Sequence, residues 1–379
     1  MKKMSYLCRK FITTFFVTTF FVIVASMENP FKFGSIVENE FFTDRVQEVA
    51  YIRQFIESRN HLVLISPRRF GKSSVVLKAV KQAKRQYITL NLQEITSVSD
   101  LAAKLLRELY RTHPLERLRQ MVLRFRIIPT VTANQLTGAI EVGFQPTQDQ
   151  RILLEDVMAL IENIHTEDDR LVVILDEFQE ILEIAPTLDK QLRAIMQTQQ
   201  HINYILLGSQ ESMMTKIFED VKSPFYHFGE LMRLNKLPRA EFEEYLSTRF
   251  EPVFKDQGQY LANQVLDFTD CHPYYSQQLA SHMWQIGVLR PEEQDVLNAA
   301  IEQIVLMHGL DYERIWMNFK RTSKWLLLRL AKNSTIQTGE YRTSTLYSSL
   351  KRLQQAGYII YTDRYEIEDP FFREWLKKM

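Results

Sequence analysis

A strand–loop–helix pattern in the first third of the chain constrains its fold more than any other feature. His61 to Ile65 reads as a buried strand, apolar at every position from Leu62. The loop Ser66-Pro67-Arg68-Arg69-Phe70-Gly71-Lys72-Ser73 follows, and then a helical pattern from about Lys72 to Lys84. A short run apolar at every position is a strand buried on both faces, which requires layers of other structure on each side. The neighbouring segments supply them. Asp44 to Ser58 is helical, with Val46, Val49, Ile52 and Ile56 on one face. Tyr87 to Leu92 reads as a strand, Leu101 to Tyr110 as a helix, Leu153 to Ile164 as a helix, and Leu171 to Asp176 as a fully apolar strand. Leu188 to Gln200 is helical, Tyr204 to Gly208 is a strand, and Met232 to Leu237 is the expected last strand. The β-branched runs between Arg126 and Phe144 read as a hairpin inserted in this region. Strands alternating with helices indicate a parallel sheet with helices on both faces, and such sheets bind ligands at the carboxyl ends of their strands.

Length and composition set the remaining bounds. With 379 residues the chain suits two or three domains. Its hydrophobic share of 45% and charged share of 25% exclude a disordered or wholly membrane-embedded class. A net charge of +1 says little about partners, and there is no polybasic or acidic tail. Cys8 and Cys271 are far apart, so neither a disulfide framework nor a cysteine zinc site is indicated. Lys2, Lys3, Arg9 and Lys10 flank an apolar run from Phe11 to Ala25 that ends in small residues. This outline fits a signal peptide, a membrane anchor through residues 11–25, or a leader ahead of a true start at Met27. The last reading is preferred, with a cytoplasmic protein as the consequence. We therefore expect 1–26 to lie outside the fold, 27–237 to form the sheet domain, 238–319 a helical lid, and 320–379 a third domain.

The loop between strand and helix carries chemistry. Backbone N–H groups of Ser66, Pro67's neighbours Arg68 and Arg69, Phe70 and Gly71 would converge on phosphate oxygens, aided by the positive end of the following helix. Lys72 would neutralise β- and γ-phosphates, the Ser73 hydroxyl would coordinate Mg²⁺, and Ser74 is a weaker candidate for the same site. The first glycine of the usual pattern is Ser66 here, a departure at a position where glycine's conformational freedom is normally used. The second half of the constellation is Leu171-Val172-Val173-Ile174-Leu175-Asp176-Glu177. Asp176 at the rim of the sheet would hold Mg²⁺, and Glu177 would act as general base toward water. Ser209, after the strand Tyr204–Gly208, reads either as a contact to the terminal phosphate or its attacking water, or as a simple polar turn.

Several stretches together resemble the archaeal-type ATPase family of the AAA+/STAND group of P-loop NTPases. They are Asn29-Pro30-Phe31-Lys32-Phe33-Gly34 through Phe41-Phe42-Thr43-Asp44-Arg45, then Ser66–Ser73 and Leu175–Glu180 in the positions of the Walker A and Walker B motifs. Cys271-His272-Pro273-Tyr274 and Asp369-Pro370-Phe371-Phe372 complete the set. The resemblance covers nearly everything after Met27. It implies an α/β P-loop NTPase core, a helical lid and a C-terminal winged helix, with ATP or ADP and Mg²⁺ as ligands. It also implies that Val37 and Phe42 contact the base and that Pro273 packs near it from the lid. Cys271 stands where the family has glycine. His272 by itself reads as a helix-boundary or core histidine. AAA+ proteins commonly supply an arginine to a neighbour's γ-phosphate. This chain has none from Ala194 to Met232, where Lys216, Lys222 and His227 are the nearest substitutes, and Arg233 falls on the expected last strand. A slow switch, ADP-bound at rest, is the resulting expectation.

After Lys320 the pattern changes. Thr343-Ser344-Thr345-Leu346 opens a helix to about Gln355, with a Thr/Ser-rich N-cap. Gly357 ends it, and Tyr358–Tyr361 pairs across Asp363-Arg364 with Tyr365–Ile367. Helix, turn and two-stranded wing describe a winged helix. Basic residues exceed acidic ones here, so Arg342, Lys351, Arg352 and Arg364 are the candidate phosphate contacts if the partner is DNA, and the alternative is an unidentified protein.

Overall fold

The computed structural model describes residues 28–37, 39–43, 45–113, 129–133, 140–144, 150–334, 341–361 and 363–379. The run 11–25 lies outside them. No helix among the described residues is long and apolar enough to cross a membrane. The chain divides into two compact units, one of residues 45–235 and one that joins the N-terminal segment to residues 236–379.

The first unit is built on five parallel strands: β1 (Leu62–Ile65), β2 (Tyr87–Asn91), β5 (Leu171–Asp176), β6 (Ile202–Gly208) and β7 (Glu230–Arg233). Their spatial order is β2-β5-β6-β1-β7. Every residue of β1 and of β6 is buried, as the unbroken apolar runs require. The alternation sorts them by face. Val63 and Ile65 join a core with the helices Val98–Thr112 and Gln150–Ile164, whereas Leu62 and Leu64 are buried outside that cluster. The helix Val46–Glu57 packs against the helix Lys72–Ala83. Each fully buried Leu, Ile or Val contributes about 1.5–3 kcal/mol, so the central strands anchor the unit. A hairpin of β3 (Pro129–Ala133) and β4 (Ile140–Phe144) is inserted before the helix Gln150–Ile164, antiparallel with Val131 opposite Val142. Its turn, residues 134–139, lies outside the described residues.

Several boundaries differ from the sequence expectation. The last strand is Glu230–Arg233, not Met232–Leu237, because its register is fixed by pairing Leu62 with Glu230 and Ile65 with Arg233. Val46 is exposed at 72% although it shares the helical spacing of buried Val49, Ile52 and Ile56. It is the first helical residue, ahead of the turn that packs. The helix expected over Leu188–Gln200 ends at Met196.

The second unit is mainly helical. Five helices, Arg239–Phe254, Gly258–Thr269, Pro273–Leu289, Val296–Met307 and Gly309–Asn318, are followed by Arg321–Ala331 and Thr343–Gln355. The antiparallel pair β8 (Ile359–Tyr361) and β9 (Tyr365–Ile367) comes next, with Ile359 opposite Ile367, and then the helix Pro370–Lys377. Gly357, at φ 76°, supplies the left-handed turn between helix and strand. The helix Thr343–Gln355 has Arg342 at its N-cap and no side-chain cap, so the Thr/Ser cluster does not cap it as expected. The N-terminal segment packs into this unit. Asn29 Nδ2 donates to the Ser281 carbonyl at 3.1 Å and to Ser281 Oγ at 2.9 Å, and the Phe31 ring lies 5.0 Å from that of Phe250. The apolar aromatic side chains of this segment explain why it sides with residues 236–379 rather than with the sheet domain.

His272 is buried and caps the helix Pro273–Leu289, its Nδ1 accepting from the N–H groups of Tyr274 and Tyr275. Cys271, in place of the family's glycine, holds a left-handed φ of 56°. The backbone therefore keeps the conformation a glycine would adopt freely, at a cost of about 1–2 kcal/mol for a residue with a Cβ.

Candidate functional site

Because the sheet is parallel, β1, β5 and β6 end at one edge, with Leu175 level with Leu206 and Ile65 level with Gly208. The residues that follow these strands are Ser66, Glu177 and Ser209. Sequence-distant polar groups are thereby brought to a single rim.

Ser66 is fully buried, and its N–H donates to the Gly208 carbonyl at 3.3 Å. Its φ is not left-handed, so serine occupies the usual glycine position without backbone strain. The loop instead takes its left-handed turns at Arg69, φ 65°, and Gly71, φ 86°. No atom lies within 4 Å of where a Gly71 Cβ would stand, so glycine is needed there for conformation rather than for space. Phe70 is buried and anchors the loop. Arg45, itself buried, donates to the carbonyls of Phe70 at 3.2 Å and Asn235 at 2.7 Å and pairs with Glu48 at 2.9 Å.

The helix Lys72–Ala83 begins without a side-chain cap and without an acidic residue in its first turn. The first N–H groups of a helix have no partner within it, and their dipole disfavours a cation. Yet Lys72 stands there, buried, its Nζ donating to the carbonyls of Ser66 and Pro67 at 3.4 Å each. Burial pushes its ammonium below the usual lysine value, against the pull of the Glu177 and Asp176 carboxylates, while Arg68 acts with burial. An uncapped helix start with a buried cation beside it has the chemistry to accept an anion.

The Ser73 Oγ donates to Asp176 Oδ2 at 2.7 Å. Hydroxyl and carboxylate together form an all-oxygen donor set of the kind Mg²⁺ prefers, with positions left for water and phosphate. These residues fit a magnesium–nucleotide ligand. Glu177 sits at left-handed φ 53°, and its N–H donates to Asp176 Oδ1 at 2.9 Å. Its Oε2 accepts from Ser209 Oγ at 2.6 Å, so Ser209 reaches the expected base rather than solvent. Gln179 Nε2 donates to the same oxygen at 2.6 Å. Gln179 and Arg45 carry no role in the sequence reading. Gln179 has a signal in hindsight, an amide two residues after the acid pair, and Arg45 has one in its place after Phe41–Asp44.

The remaining expected residues fall elsewhere. Ser74 follows Ser73 on the same helix, half-buried. Val37, Phe42 and Pro273 belong to the second unit. Lys216 lies on the helix Glu211–Phe218, and Arg233, at the end of β7, pairs with Glu219 at 2.5 Å. Arg342, Lys351 and Arg352 are exposed on or beside the helix Thr343–Gln355. Arg364 is exposed and paired with Glu366 at 2.7 Å.

Comparison with known proteins bears on family and fold. A family model described as an ATPase domain predominantly from Archaea matches residues 42–279, well over half of the chain. No curated protein matches the chain. Among solved structures, a Walker-type ATPase of Pyrococcus abyssi aligns with a TM-score of 0.62 at 17% identity, covering 92% of this chain and 99% of that one. The ORC2 protein of Aeropyrum pernix, solved as ADPNP–ADP complexes, aligns at 0.54 and 15% identity over 92% of this chain and 96% of its own. At these identities the likeness is one of fold.

Proposed function

The chain belongs to the archaeal-type ATPase family, and from that premise we propose that it binds Mg·ATP at Ser66–Ser73 and hydrolyses it slowly to drive a conformational switch. The observation that carries this reading is the 2.7 Å contact between Ser73 and Asp176 beside buried Lys72. The Lys72 ammonium exchanges its two long carbonyl contacts for phosphate oxygens, a stronger charge-assisted pairing. Loop and first-turn N–H groups complete the cradle. Ser73 and Asp176 hold Mg²⁺, which when bound neutralises charge on the phosphates. Glu177 takes the proton of the attacking water through the carboxylate oxygen not held by Ser209.

Slow turnover follows from the arginine inventory. The segment Ala194–Met232 has no arginine, and Arg233 is engaged by Glu219. An arginine supplied to the γ-phosphate is worth about 10³–10⁵ in rate, so its lack from the chain's expected position leaves a switch. The helix, Gly357 turn and β8–β9 hairpin support a winged-helix reading of the C-terminal residues. DNA is the weaker partner for it, since Arg364 is already paired with Glu366.

Single-turnover hydrolysis of radiolabelled ATP tests the proposal. Glu177→Gln retains ATP but stalls its cleavage. Normal turnover by that variant would rule out Glu177 as the base.

A further inference from the structure

Gln179 is fully buried in the 3-10 turn Phe178–Glu180. Its position is set from both sides. Phe178 packs its ring 5.5 Å from Phe218 and 5.1 Å from Phe225, fixing the turn, and Glu177, at left-handed φ 53°, starts it. Gln179 Nε2 and Ser209 Oγ both donate to Glu177 Oε2, each at 2.6 Å. A carboxylate oxygen offers two lone-pair sites, so the two donors fill Oε2 and leave Oε1 to accept a proton. Burial lowers the Lys72 ammonium's pKa most, and the Glu177 and Asp176 carboxylates pull against it.

The amide's own carbonyl is the telling feature. Gln179 Oε1 is buried and has no hydrogen-bond partner among the described residues. A buried carbonyl left unsatisfied costs about 1–3 kcal/mol, and a hydrophobic side chain of the same length would avoid that cost. The reverse amide orientation would set this carbonyl against a carboxylate oxygen. The side chain thus holds an unfavourable burial whose visible return is a short bond to Glu177 and a long one, 3.5 Å, to Glu180 Oε1.

We propose that Gln179 is a positioning residue for hydrolysis: with Ser209 it fixes the Glu177 carboxylate so that Oε1 alone is presented to the attacking water. The proposal rests on the reading of Glu177 as general base. Without the amide, Glu177 keeps one donor and regains rotamer freedom, so the base spends less time in the productive geometry.

The test is Gln179→Met, which keeps length and volume and removes the donor, with Gln179→Leu as a second variant and thermal melts to confirm folding of each. Single-turnover rates and Mg·ATP affinity are measured for both, alone and in the Glu177→Gln background. The expected result is a fall in the cleavage rate of roughly 10- to 100-fold with unchanged nucleotide affinity, and no further fall when Glu177→Gln is already present. A folded Gln179→Met protein that cleaves ATP at the wild-type rate, beside a stalled Glu177→Gln, overturns the proposal alone. An equal fall in both backgrounds also overturns it, because the amide would then act by another route. Wild-type turnover by Glu177→Gln removes the underlying reading of Glu177 and the proposal with it.

Discussion

The hydroxyl of Ser73 donates to Oδ2 of Asp176 at 2.7 Å, although 103 positions separate the two residues. The contact exists because β1 and β5 flank β6 in a parallel sheet, so the helix after one strand starts beside the end of the other. It couples the phosphate loop to the acidic strand end. Asp176→Asn should therefore reduce the affinity for Mg·ATP at least about tenfold, to the value seen with ATP and a chelator. Ser73→Ala should add little on top of it, because both remove the same metal position. Fluorescent nucleotide titration with and without Mg²⁺ checks both statements.

Lys72 should be a site where stability is given up for binding. Burial lowers its ammonium's pKa in the folded chain, so at neutral pH the charged form is held at a cost. The sign is that of a depressed lysine: the full stability is present above the unfolded value and is lost as pH falls through the folded one. Lys72→Met should accordingly raise the melting temperature of the nucleotide-free protein at pH 7. It should also abolish the further rise that Mg·ATP gives the wild type. Thermal melts of both proteins, with and without Mg·ATP, measure this.

Arg45 ties three segments through one guanidinium: the start of the helix Val46–Glu57, the loop carbonyl of Phe70 and the carbonyl of Asn235. Arg45→Ala leaves these buried acceptors short of a donor and should cost about 2–4 kcal/mol. Arg45→Lys should recover less than half, since an ammonium cannot fork toward two carbonyls and a carboxylate. Urea midpoints at constant slope read both values.

His61 predicts an acid-labile fold. Its ring stacks 4.6 Å from Phe228 and its Nδ1 accepts the Tyr204 N–H at 3.2 Å. Burial, aided by Arg193, lowers its pKa from 6.5 to about 4. The unfolded chain takes up the proton first, so this stability is complete above pH 6.5 and drains away as pH falls toward 4. The loss amounts to about 3 kcal/mol. His61→Asn, which keeps an acceptor, should be less stable than wild type at pH 7.5 and lose less between pH 7.5 and 4.5 in urea unfolding.

Much of the sheet domain was legible because its signals are local. A strand apolar at every position can only be central, and His61–Ile65, Leu171–Asp176 and Tyr204–Gly208 were each found within two residues at either end. The last strand was misplaced because Glu230–Arg233 is half-exposed and follows no hydrophobic period. Pairing with β1, not composition, sets its limits. In the site, Lys72, Ser73, Asp176 and Glu177 could be named from motif and context. Gln179 and Arg45 could not be given roles, because each acts through a contact that only the folded backbone creates. A buried amide and a buried guanidinium look in sequence like ordinary surface residues.

The most direct measurement is calorimetric titration of Mg²⁺ with a non-hydrolysable ATP analogue into the wild type and Lys72→Ala. Binding at a single site by the wild type, weakened at least about 100-fold (about 2.7 kcal/mol) in the variant, is the predicted result. Equal affinity and heat in the two proteins would contradict it.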